Sequence, residues 1–202
     1  MADLPIIGIT MGDPASIGPE IAVKALLNEE IYAICKPLLV GDAAVFEDII
    51  KRLGLQASIN VIKNVKEAKF TFGAIDVYDL HNVNLEELRF GEISAMAGSA
   101  SFEAIKKVID LALTKDIDAT VTGPINKKSI NEAGHHFAGH TETLDVLERR
   151  FYNLAGDVPD YYGIYCDREG AGYGSGGIRF ARDAYFIGTS VLCTVFLATV
   201  CL

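Results

Sequence analysis

Cysteine is scarce and unpaired in this chain: Cys35, Cys166, Cys193 and Cys201 share no spacing pattern and form no Cys-x-x-Cys. That argues against a disulfide scaffold or a thiolate zinc site and fits reduced thiols in a cytoplasmic protein. Basic residues are also short, 18 Lys and Arg against 27 Asp and Glu, which gives a net charge of -9 and a pI near 4.9. A nucleic-acid partner would call for a basic stripe, so none is expected. There is no low-complexity block and no internal repeat. Residues 1–10 lack the basic and then apolar segments of a secretory signal. Histidine is limited to four residues, and none follows His140.

Half of the 202 residues are apolar. A chain of this size can bury roughly 70% of its unfolded surface, as one good core or two small domains. The apolar pattern predicts strands over 6–10, 37–41, 58–62, 75–78 and 118–122, and helices over 20–28, 43–53 and 94–114. Gly54 is a stop signal for the second helix. On the third, Ile105, Val108, Ile109 and Ala112 form an apolar stripe, and the small residues from Ala95 to Ala100 permit close packing. Such alternation predicts an α/β fold with a largely parallel sheet. Residues 1–150 carry this pattern and are expected to form the α/β region. Residues 151–202 are expected to be an atypical tail, with a glycine tract over 170–177 and an uncharged run over 185–202. That run is long enough to be a membrane-span candidate. Gly188, Thr189, Ser190, Thr194 and Thr199 make it a poor one, so a membrane partner is not expected; a buried strand pair or an out-of-frame tail are the alternatives.

The chemistry is expected around Val121-Thr122-Gly123-Pro124-Ile125-Asn126-Lys127-Lys128 and the following Gly139-His140-Thr141-Glu142. A strand stopped by Gly-Pro, then a short helical turn over 125–132, gathers polar groups at one sheet edge. Open α/β folds place ligands at the carboxyl edge of the sheet. The loop Gly12-Asp13-Pro14-Ala15-Ser16-Ile17-Gly18-Pro19-Glu20 also joins a strand to a helix. It can present N–H groups to an anion, or it can need Gly and Pro for geometry alone. Lys127 and Lys128 can meet a phosphate or simply be solvated. His135 and His136 are adjacent and point apart on any regular element, which makes joint chelation awkward. His140 is the favoured functional histidine, with Thr141 either a ligand contact or a helix cap. The spacing in the 170–177 tract does not follow a clear strand, so no dinucleotide fingerprint is read there.

Three segments in order, the 9–20 loop, Val121-Thr122-Gly123-Pro124-Ile125-Asn126-Lys127 and Gly139-His140-Thr141-Glu142, resemble the 4-hydroxythreonine-4-phosphate dehydrogenase family of vitamin B6 biosynthesis. The resemblance runs over about 5–148. It implies a three-layer α/β/α fold like the isocitrate and isopropylmalate dehydrogenases, with an incomplete second domain, and a homodimer that shares its active sites. It implies oxidation by NAD or NADP of a phosphorylated four-carbon hydroxy acid, followed by decarboxylation. A divalent metal (Zn, Mg or Co) would act as Lewis acid. The candidate substrates are 4-hydroxythreonine 4-phosphate and threonate or erythronate 4-phosphate. By resemblance, His140 and Thr141 contact substrate. Catalytic and cofactor-binding residues are not assigned.

Two departures qualify the resemblance. Ser16 stands where the family has Gly, which matters only if that position needs a positive φ. The family's three metal-binding histidines lie beyond Gly-His-Thr-Glu, and this chain has none there, so no metal ligand is assigned. The expectation is a truncated or frame-disrupted member, inactive as it stands. The alternative is a non-catalytic phosphometabolite-binding or dimerising remnant.

Overall fold

The computed structural model describes residues 4–136. The glycine tract over 170–177 and the uncharged run over 185–202 lie outside those residues. No helix of the described residues is long and apolar enough to cross a membrane.

Among the described residues, five strands form one all-parallel sheet in the order β3-β4-β2-β1-β5. They are β1 (Ile6–Thr10), β2 (Lys36–Gly41), β3 (Ser58–Ile62), β4 (Ala74–Asp79) and β5 (Ala119–Val121). The helices are α1 (Gly18–Ala25), α2 (Glu29–Ile34), α3 (Ala43–Leu53), α4 (Ala95–Leu113) and α5 (Lys127–Glu132). The alternation of β2 shows why both sheet faces are covered. Leu39 joins the cluster formed with α1, α2 and α3 through Val23, Leu26, Ile31 and Phe46. Leu38 and Val40 join the opposite cluster, built with Val108, Leu111 and Ala112 of α4. The result is the expected α/β/α layering.

Local signals fix most boundaries. Asp42 caps α3 by accepting the Ala44 N–H at 2.9 Å, and Gly54 ends it in the left-handed conformation, φ 62°. Ser94 caps α4 through the Ala97 N–H at 3.1 Å. The α4 stripe Ile105, Val108, Ile109 and Ala112 is buried as expected. Gly8 lets this layer close on β1, since a Cβ there would lie 2.6 Å from Ile117 Cδ1.

One helix differs from expectation. The segment 20–28 is not a single helix: α1 stops at Ala25, and Asn28 turns extended and caps α2 through the Glu30 N–H at 3.0 Å. Asn is a good cap because its side chain competes for backbone donors, the property that makes it a poor helix interior.

Candidate functional site

Strand order locates the site. From β1 the chain moves to β2 on one side, while β5 lies on the other side of β1. The loop after β1 feeds α1 on one face, and the loop after β5 feeds α5, which packs on α4 at the other. The β1/β5 carboxyl edge is therefore a topological switch point, where open α/β sheets form a ligand crevice. Both expected loops do leave the same edge: Ile7 pairs with Ala119 and Ile9 with Val121, in parallel.

The two loops are locked together by two hydrogen bonds, one of them backbone to backbone. Asp13 N–H donates to Pro124 O at 2.9 Å, and Gly123 N–H donates to Thr10 Oγ1 at 2.9 Å. Gly12 has φ +71°, and a Cβ on it would sit 2.5 Å from Pro124 O. A Cβ on Gly18 would sit 2.5 Å from Met11 O. Close packing thus accounts for both glycines of the first loop without a ligand. Ser16 is not among the residues with positive φ, so the Gly-to-Ser departure introduces no strain.

Within this junction Asp13 is 1% exposed. Its Oδ1 accepts the Ala15 N–H at 2.8 Å. Burial pushes its carboxyl above the ordinary value of 3.8, against the smaller lowering effects of that N–H and of the Ser129 hydroxyl. Ser129 lies on α5, is fully buried, and its Oγ has no hydrogen-bond partner.

Among the expected site residues, Lys127 and Lys128 are exposed, consistent with solvated lysines. His135 stacks on Phe102 with ring centroids 3.7 Å apart and 16° between planes, while His136 is exposed. The two imidazoles do not join in any potential metal group among the described residues. His140 and Thr141 lie outside the described residues.

A second polar cluster sits where β2 and β4 end. Ligand atoms of Asp42, Asp79 and His81 lie within 4.8 Å of one another, beside an open depression of about 600 Å³ lined in part by His81, Asn82 and Met96. Sequence reasoning did not single out these residues; an Asp directly after a strand and before a helix is the signal it left unused. Their oxygens are already engaged. Asp42 accepts the Ala44 and Val83 N–H groups, the latter at 2.8 Å. Asp79 Oδ1 accepts the Ala43 and His81 N–H groups at 3.0 and 3.1 Å, and Oδ2 accepts Lys63 Nζ at 3.0 Å. Burial pulls the Asp79 pKa up, but these bonds and the Lys63 charge together hold it below 3.8. A cation here would have to displace or share with Lys63, so the donor set is that of a capping network and does not fit a resident metal.

The profile of the pyridoxal phosphate biosynthetic protein PdxA matches residues 33–151. A Symbiobacterium thermophilum protein assigned the name D-threonate 4-phosphate dehydrogenase is 49% identical over 143 residues, which are 71% of this chain and 43% of that protein. A Clostridium botulinum protein with the same assigned name is 46% identical over the same shares. Among solved structures, a 4-hydroxythreonine-4-phosphate dehydrogenase from Burkholderia phymatum matches with TM-score 0.71 and 41% identity, over 73% of this chain and 44% of that one. The corresponding Klebsiella pneumoniae enzyme matches with TM-score 0.69 and 36% identity, over 73% and 45%. The chain spans less than half the length of the relatives it matches. With more than half of its residues under one family profile and the parallel sheet shared with these structures, the chain belongs to the PdxA family of pyridoxal phosphate biosynthetic proteins.

Proposed function

We propose that the protein is a dehydrogenase of a phosphorylated four-carbon hydroxy acid, with D-threonate 4-phosphate the first substrate to test and 4-hydroxythreonine 4-phosphate and erythronate 4-phosphate the next. The assigned names of the relatives at 46% and 49% identity favour that order. The observation that carries the reading is the parallel β1–β5 pair, whose loops bear two of the three family-like segments and flank the switch point. In this reading His140 and Thr141 bind the polar head of the substrate, NAD or NADP takes the hydride, the keto acid loses CO2, and the protein works as a homodimer in the cytoplasm. A divalent metal would supply Lewis-acid chemistry in the family activity. The described residues offer no donor set that fits it, so no step is derived through it.

The test uses the protein at the length of its relatives. His140→Ala should lower kcat/KM by an amount equivalent to about 1–3 kcal/mol, the loss of one buried hydrogen-bonding contact, with bound metal unchanged. Loss of metal in that variant would overturn the assignment of His140 to substrate.

A second reading, a non-catalytic phosphometabolite-binding or dimerising protein, is favoured for the 202 residues themselves by one observation. No histidine follows His140, so the three-histidine metal set implied by the resemblance cannot be assembled from them. The purified 202-residue chain should then produce no NADH from these substrates with added Mg2+, Mn2+ or Zn2+. Robust metal-dependent turnover, with the intact mass confirmed, would contradict this second reading.

A further inference from the structure

We propose that Thr10 is a positioning residue of the ligand crevice: its buried hydroxyl holds the 123–128 segment at the carboxyl edge of the sheet, where that segment faces the phosphorylated hydroxy acid. The part that concerns the ligand rests on the function proposed above; the hydrogen bond itself does not.

The β1–β5 ladder is short. Ile7 pairs with Ala119, Gly8 with Thr120 and Ile9 with Val121, and the ladder ends there. Beyond it the two chains part, since β1 runs into Gly12-Asp13-Pro14 and β5 into Gly123-Pro124. Thr10 is the last residue of β1, and its backbone pairs on the other side, with Val40 of β2. Its side chain serves the β5 side: Oγ1 accepts the Gly123 N–H at 2.9 Å. Thr10 is 0% exposed and Gly123 is buried too, so water does not replace the acceptor if it is removed. The hydroxyl adds one rung, made by a side chain, where the backbone ladder has run out.

Threonine suits this place. It offers an acceptor one bond beyond Cβ, and its branched Cβ restricts χ1 in a strand. Gly123 completes the fit, because a Cβ on it would lie 2.7 Å from Thr10 O and 2.9 Å from Gly12 N. The two backbones are already in contact there, and the hydroxyl fixes their register.

What the rung holds is the stretch that comes to the surface. Pro124 is exposed, Ile125 and Asn126 are half-buried, and Lys127 and Lys128 are exposed. Asn126 caps α5 through the Lys128 and Ser129 N–H groups at 3.0 and 3.2 Å, but six residues cannot hold a helix in place by their own hydrogen bonds. The Ser129 backbone seats against Gly98 at the far end. At the near end the ties are Thr10 to Gly123 and Asp13 to Pro124. The second runs backbone to backbone; the first can be removed by substitution.

Thr10→Val keeps the shape and deletes the acceptor, while Thr10→Ser keeps the acceptor. The full 202-residue chain is titrated calorimetrically with D-threonate 4-phosphate, and amide exchange is followed at Gly123. Thr10→Val should speed Gly123 exchange and weaken binding, each by about tenfold, and Thr10→Ser should restore most of both. Val45→Ala opens a cavity in the α3 layer, away from the crevice. It should lower stability and leave the affinity at the wild-type value. Wild-type affinity in Thr10→Val, an affinity in Thr10→Ser as low as in Thr10→Val, or an equal loss in Val45→Ala would each overturn the proposal. If Thr10→Val does not fold, Thr10→Cys replaces it: its sulfur is a weak acceptor, so affinity should again fall, and unchanged affinity overturns the proposal. If the wild type itself does not bind D-threonate 4-phosphate, the functional reading fails and takes the ligand part with it. Gly123 exchange then decides the rung alone, and wild-type exchange in Thr10→Val would overturn that too.

Discussion

Two acid-bearing clusters sit on the same carboxyl edge of one sheet and have been given opposite electrostatics. At the β2/β4 end, Asp42 and Asp79 are saturated by backbone N–H groups and Lys63, and Asp79 is held below its ordinary pKa. At the β1/β5 end, the Asp13 carboxylate accepts the Ala15 N–H, and burial holds its pKa above the ordinary value. Saturated carboxylates tie elements together and resist change. A buried carboxylate with a single N–H partner has its charged form disfavoured, and here it lies at the switch point of the strand order. The depression of about 600 Å³ lies beside the saturated cluster, not beside Asp13.

The largest effect expected is on the saturated side. Asp42→Ala removes the α3 cap and leaves the Val83 N–H without its acceptor. Together these should destabilise the fold by about 2–4 kcal/mol, read as a lower urea midpoint at unchanged slope. A loss of only a few tenths would mean the network is not structural. Next comes Gly98→Ala, whose Cβ meets the α5 backbone at Ser129. The overpacking should amount to about 1–3 kcal/mol, with α5 exchange rising more than that of α3. Equal changes in both helices would remove the distinction between the two ends.

The pH dependence sharpens the contrast through its sign. A lowered folded pKa at Asp79 contributes stability that is present above 3.8 and is lost as pH falls through the folded value. Asp79→Asn should therefore be less stable than wild type at neutral pH and converge with it in acid. A raised folded pKa at Asp13 does the reverse. Its stabilisation is present below 3.8 and is lost as pH rises through the folded value. Asp13→Asn should remove that decline, so its stability curve should part from wild type on the neutral side. Curves for the two variants with the same sign would break the comparison. The smallest effect expected is that of added Mg2+ or Zn2+ on the melting temperature of the 202-residue chain. A ligand that binds only the native state must raise it, so no shift is predicted if Asp42, Asp79 and His81 are a capping network.

Much of the scaffold was legible in the sequence because local signals decided it. The β-branched run before Gly12, the Gly54 stop and the α4 stripe each follow from one residue type at one spacing. Asn28 was misread as the end of the first helix because the apolar residues Leu26 and Leu27 run directly up to it, and only its backbone, turned extended, shows a cap for the next one. The site was half legible. Gly12-Asp13-Pro14 and Gly123-Pro124 stood out as chain-breaking polar loops, but their interlock depends on β5 lying beside β1 rather than beyond β4, which no local pattern encodes. Ser129 carried no signal at all, since a serine in a short polar helix becomes notable only once its backbone is found against Gly98. Phe102 and His135 likewise read as a core residue and a turn residue until α4 and α5 bring their rings together.

The most direct test of the account is a map of amide chemical shifts as D-threonate 4-phosphate is titrated into the isotopically labelled 202-residue chain. Shifts concentrated at Gly12, Asp13, Gly123 and the His140–Thr141 segment, with 80–88 silent, are what a site at the β1/β5 switch point predicts. Shifts centred on His81, Asn82 and Val83 instead, with the β1/β5 loops unchanged, would contradict it.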